Sequence, residues 1–188
     1  MFHTPNIEMV KLQSEAAGIP LIMQETTGEK EKELNDLKKA LSLAKEKYHI
    51  EGVVAGALFS QYQRERIEQV CESLGLKVFS PLWHMNQELE MRNLLDEGFA
   101  VIIAAIAAQG LDPAWLGRSL DSADIDKLVE LQAAVGLNPA GEGGEFESLV
   151  TDCPMFTKKI SIASAKKEIE SEHTGVFVIE QAELVDKF

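Results

Sequence analysis

The sequence predicts an α/β first half with a parallel sheet, followed by a second domain of mixed α+β type. Three observations predict it. Up to residue 79 amphipathic helices alternate with short apolar strands, the pattern of a parallel sheet with helices on its faces. Pro81-Leu82-Trp83 then breaks that alternation and marks a boundary, giving domains at 1–82 and 83–188. Beyond it the chain carries one long alanine-rich apolar run, a glycine- and glutamate-rich loop and strands of alternating pattern, which is a different plan.

Taken in order, Thr4-Pro5 opens a helix, with Thr4 as cap and Pro5 at the first helical position. Gly18 closes it, and residues 19–23 read as a short strand. Thr26-x-x-Glu29 is a capping-box pattern before a second helix, whose Leu34, Leu37, Leu41 and Ala44 share one face. The Lys and Glu residues opposite form a solvated surface. Residues 52–57 are a small apolar strand, and Ser60-x-x-Gln63 caps a third helix with Ile67, Val70, Cys71 and Leu74 inward. A helix start at the carboxyl end of a strand is where open α/β sheets bind anions. Tyr62, Gln63, Arg64 and Arg66 gather there. Arginine opposes the positive end of a helix dipole, so a bound phosphate or carboxylate would explain it, and plain surface placement would too. Residues 76–79 are the next strand.

In the second half, residues 86–97 are a helix stopped by Gly98, and residues 99–107 a long buried strand. Residues 110–118 form a loop with two glycines, a turn proline, Trp115 and Arg118. It is either a packed surface loop or a binding loop. Asp121 or Ser122 caps a helix through Val135, stopped by Gly136. Ile160 and Ile162 alternate, and residues 176–179 read as a strand.

Between these elements lies the most site-like stretch. Residues 141–147, Gly-Glu-Gly-Gly-Glu-Phe-Glu, hold three glycines and three carboxylates in seven residues. Gly143-Gly144 lets the backbone turn sharply and lets a ligand approach the main chain. If the chain re-enters a strand here, Glu145 and Glu147 face one way and Phe146 the other. Carboxylates so placed call for a cation between them: a metal, an amine, ammonium or an arginine. The alternative is a solvated acidic turn.

Composition narrows the partners. The formal charge is −13, which disfavours phosphate backbones and so nucleic acid. Met1 to Pro5 has neither the basic start nor the apolar run of a signal peptide, and the longest apolar stretch, residues 99–108, is too short for a bilayer. Cys71 and Cys153 make no C-x-x-C pair or zinc spacing, and His3, His49, His84 and His173 are scattered. The expectation is a cytoplasmic protein with reduced thiols, no metal-ligand set and no membrane partner.

Several stretches together resemble the diphthine–ammonia ligase family, a branch of the N-type ATP pyrophosphatases. They are Gly56-Ala57 with Tyr62-Gln63-Arg64-x-Arg66, Ser80-Pro81-Leu82-Trp83, Gly110-Leu111-Asp112 with Trp115-Leu116-Gly117-Arg118, and Gly141 to Glu147 followed by Asp152-Cys153-Pro154-Met155-Phe156. The resemblance implies a Rossmann-like parallel sheet of the HUP (adenine nucleotide alpha hydrolase-like) type with a smaller C-terminal α+β domain, in strand order 3-2-1-4-5. It implies ATP and Mg2+ as cofactors, and ATP-dependent amidation of diphthine on translation elongation factor 2 through an acyl-adenylate. Ammonia is the nitrogen donor, and a homodimer is one open oligomeric state. By position it implies cofactor binding at His3, Gly56, Ala57, Tyr62, Gln63 and Arg64, substrate contacts at Arg66, Trp115, Arg118, Gly143 and Gly144, and catalysis at Glu142, Glu145 and Glu147. The glutamates would hold ammonium and take its proton, or hold the trimethylammonium of diphthine. They are expected to share a cleft with the turn from Gly56 to Arg66.

The chain departs from the family in one respect. The Ser-Gly-Gly-Lys-Asp-Ser type loop that cradles pyrophosphate is absent from these residues, whose only double glycine is Gly143-Gly144. The match begins after the family's second strand, so the sheet is expected to be N-terminally truncated. A non-catalytic binding module and an ATP pyrophosphatase acting on another acid are the competing readings.

Overall fold

The computed structural model describes residues 5–26, 33–56 and 60–187. His3 and Ala57, the Thr4 cap and Glu29 of the second helix's capping box lie outside them. The chain divides into two compact units, one built on Leu21–Met85 and the other joining His3–Pro20 to Asn86–Phe188.

The first unit holds α2 (Glu33–Tyr48), β1 (Gly52–Val54), α3 (Gln61–Ser73) and β2 (Lys77–Phe79). Strands β1 and β2 pair in parallel, Val53 opposite Val78 and Val54 opposite Phe79. This is the parallel α/β plan read from the sequence, reduced to two strands. Ser60 caps α3 as its spacing predicts, its Oγ accepting from the Gln63 N–H at 3.3 Å. Val70 and Cys71 turn inward. Burial pushes the Cys71 thiol pKa up, which keeps it protonated and unreactive.

Residues 19–23 are not a strand. A strand exists only through a partner ladder, and Pro20 removes one of the donors such a ladder needs. The Ile19 N–H instead bonds back to the Ser14 carbonyl to finish α1. That helix, α1 (Met9–Ala17), also starts later than Pro5. Asn6 sits at φ 56° and spends its side chain elsewhere: Nδ2 donates to the Phe177 carbonyl at 2.7 Å, and Oδ1 accepts from the Ile179 N–H at 2.9 Å. Gly18 ends α1 in the left-handed conformation, as expected.

The second unit adds α4 (Gln87–Asp96), β3 (Ala100–Ala107), α5 (Ser122–Val135), β4 (Phe146–Asp152), β5 (Lys158–Ser171) and β6 (Thr174–Asp186). Its four strands are ordered β4-β3-β6-β5 and all pairs are antiparallel. Asn86 caps α4, and Asp121 with Asp124 closes a capping box on α5. One core forms where Ile103 and Ile106 of β3 meet Ile125 and Leu128 of α5, with Leu111, Leu116, Leu137 and Phe146 closing it. Burying such aliphatic side chains contributes roughly 1.5–3 kcal/mol each. Helix α1 joins this unit: the Thr157 N–H and Oγ1 both donate to the Ala16 carbonyl, and Gln13 Nε2 donates to that of Val150. Among the described residues no helix is long and apolar enough to cross a membrane.

Candidate functional site

The Gly/Glu loop runs from the end of α5 into β4. Phe146 drops into the core opposite Ile106, so alternation turns Glu147 to the other face, opposite Ala105 of β3. Glu145 closes the loop on itself. Its Oε1 accepts from the Asn138 N–H at 3.0 Å and its Oε2 from the Gly143 N–H at 2.8 Å. Two N–H groups on one carboxylate are charge-assisted bonds, and they draw residues 138–145 into a ring. The ring explains Gly143: a Cβ there would stand 2.5 Å from the Glu145 carboxylate. Gly141 and Gly144 both have positive φ, at 74° and 86°. The loop is therefore a built turn. Its apex carries Glu142, exposed, while Glu145 is engaged with the backbone.

A further carboxyl belongs to this cluster. Glu90, in the first turn of α4, is only 8% exposed. Burial raises its pKa, and the charge of Glu142 raises it further. Sequence reading missed it. The available signal was its place beside Met91 and four residues before Leu94, on the inward face of an amphipathic helix.

Trp115 and Arg118 take up structural positions. Trp115 is a core side chain, 7% exposed. Arg118 reaches α5, where its Nε donates to Asp124 Oδ2 at 2.9 Å and Nη2 lies 2.6 Å from Oδ1. Asp124 is completely buried, and the guanidinium neutralises it, with a hydrogen bond at Oδ2 and an ion-pair contact at Oδ1, while lying beside the Trp115 ring. The loop also zips onto β3 through the Gly117 N–H to the Ile103 carbonyl and the Leu120 N–H to that of Val101.

In the first unit, Gly56 follows β1, and Tyr62, Gln63, Arg64 and Arg66 line the start of α3. The two arginines find partners inside their own unit. Arg64 Nε donates to Glu68 Oε1 at 2.7 Å, and its guanidinium lies 4.7 Å from the Trp83 ring centre. Arg66 stacks on Tyr62 at 3.4 Å. These contacts hold both guanidinium groups at the start of α3. Gly56 to Arg66 belongs to the first unit and the glutamates to the second. Among the described residues no three His, Cys, Asp or Glu side chains gather as a metal cage.

Comparison with known proteins covers both halves. Residues 1–78 match the family model of the diphthamide synthase N-terminal domain and residues 86–185 that of the diphthamide synthase C-terminal domain. A human protein described as diphthine–ammonia ligase is 37% identical over 183 residues, 91% of this chain and 68% of its own length. The Bos taurus protein of the same description is 36% identical over 178 residues, 88% of this chain and 66% of its own length. A Schizosaccharomyces pombe relative, also so described, is 34% identical, and the match takes in only 30% of its length. Both domain models and these identities show that the chain belongs to the diphthine–ammonia ligase family.

Proposed function

We propose that the protein serves the ATP-dependent amidation of diphthine on translation elongation factor 2, with ammonia as nitrogen donor and diphthamide, AMP and pyrophosphate as products. The observation that supports this best is the ring of residues 138–145, braced by Glu145 and carrying Glu142 at its apex. It lies within the segment that matches the diphthamide synthase C-terminal domain. ATP supplies the activation of the diphthine carboxylate, as an acyl-adenylate. Magnesium needs only one or two protein carboxylates beside substrate phosphates, so a protein cage is not required. The residues that would hold the nucleotide are Gly56, Tyr62, Gln63 and Arg64 of the first unit, Arg64 being oriented there by Glu68.

The residues of this chain then do the following. Glu145 holds the loop in shape. Glu142 offers a solvent-facing negative charge to a cationic nitrogen. A carboxylate in hydrogen-bond reach of ammonium takes a proton and frees the nucleophile. The test is incubation of the chain with diphthine-bearing elongation factor 2, ATP, Mg2+ and ammonium, following AMP and amide formation. Amide formation lost in E142Q supports the reading; amide formation unchanged in that variant overturns the role of the loop.

A further inference from the structure

Glu90 is the acid for which the fold itself has no use. It is 92% buried, its Oε2 has no hydrogen-bond partner among the described residues, and it lies within electrostatic reach of Glu142 on the glycine loop. A buried carboxyl oxygen without a donor is costly, and removing its partner is what makes it so. A ligand carrying an N–H or O–H would satisfy the ionised form. A quaternary ammonium head has neither. A bare metal ion, without substrate phosphates to complete its shell, would draw more oxygen ligands than this pair supplies, and no three acidic, histidine or cysteine side chains gather among the described residues. Ammonium has four N–H donors and one charge.

We propose that Glu90 and Glu142 form an ammonium subsite, Glu90 accepting an N–H from the buried side and Glu142 balancing the charge from the solvent side. Its role in turnover rests on the amidation reading; the binding does not. In the proton step one N–H bond breaks and one O–H bond forms on the Glu90 carboxylate. The nitrogen keeps the electron pair and leaves as neutral ammonia, and the proton returns to solvent past Glu142. Desolvation raises the Glu90 pKa, which favours its taking the proton.

The test is carbon-13 NMR of glutamate side chains in the 188-residue chain, titrated with ammonium, tetramethylammonium or sodium chloride at equal ionic strength. The expected result is a saturable shift of the Glu90 carboxyl with ammonium alone. That response weakens at least about tenfold in E142Q, matching the roughly 1.4 kcal/mol per tenfold of a lost charge contact. In E90Q the saturable ammonium response of the remaining glutamates is lost. Equal responses to all three salts overturn the subsite, as does an undiminished affinity in E142Q, a surface change that keeps the test readable if E90Q unfolds. If ammonium binds Glu90 while no amide forms on diphthine-bearing factor, the subsite stands and the amidation reading falls.

Discussion

Asp124 does two jobs with one carboxylate: it pairs with Arg118, and its Oδ2 accepts from the Asp121 N–H at 3.2 Å, which is its half of the α5 capping box. Asp124→Asn keeps the shape but loses the ion pair. Arg118 is about a third exposed, so the cost falls below the roughly 3–5 kcal/mol of a fully buried pair; about 2 kcal/mol is expected, read as a lower urea midpoint with unchanged m-value. Asp124→Ala also removes the bond from the Asp121 N–H and leaves the Asp121 cap in place, so it should cost about 1 kcal/mol more. Glu90 sets a pH dependence. Its folded pKa lies above the unfolded one, so the native state binds more protons between the two values. Stability from that group is therefore full below the ordinary carboxylate pKa and is lost as pH rises through the raised value. Urea melts from pH 4 to 8 should show a decline that E90Q abolishes; a profile unchanged by E90Q would remove the burial argument. Glu90 was illegible in sequence because an acid on a helix reads as solvated until its neighbours are known. Arg118 and Trp115 were legible as a special loop, packed or binding, but the ion pair was not, since the partner Asp124 sits six residues on and only the folded turn brings it back.

Helices were the legible elements, and the reason is local. Ser60, Asn86 and Asp121 cap within three residues of themselves, and Gly18 and Gly136 end helices by their own φ. The strand expected at residues 19–23 failed because pairing is not local. The placement of α1 was invisible for the same reason: its bonds to Thr157, Val150 and β6 span more than a hundred residues. Those bonds make a prediction at this scale. The polypeptide 86–188 lacks α1 and leaves the β6 and β5 positions it covers without partners. Five hydrogen bonds, each worth about 0.5–1.5 kcal/mol, bind α1 and the turn before it, so the shortened polypeptide should be less stable by about 3 kcal/mol or more. A peptide of residues 3–20 added in trans should restore part of the loss, seen as a raised melting temperature that depends on peptide concentration. No such dependence would mean that α1 contributes nothing to the second unit.

At the scale of the whole molecule, the parallel sheet of the first unit has two strands among the described residues, where parallel sheets ordinarily have both faces covered. Val54 and Phe79, paired in register, are 71% and 65% exposed. Each is worth roughly 1.5–3 kcal/mol when buried, so the face favours association. Light scattering should find concentration-dependent assembly of the 188-residue chain, relieved by V54K and F79K together with no fall in melting temperature; assembly unaffected by both changes would clear this face. The alternation of helix and strand let this sheet be read. The clasp of Asn6 on β6 carries a consequence of another kind, in time. Asn6 and Phe177 are 171 residues apart, with the entire first unit between them. A ribosome adding about 5–20 residues per second needs roughly 10–30 seconds to make that interval. During synthesis α1 waits, with its apolar face unmatched, while Leu21–Met85 emerges and can fold first. The second unit is thus finished only when the last strand leaves the ribosome, so a stalled or clipped chain keeps the first unit and forfeits the loop that carries Glu142.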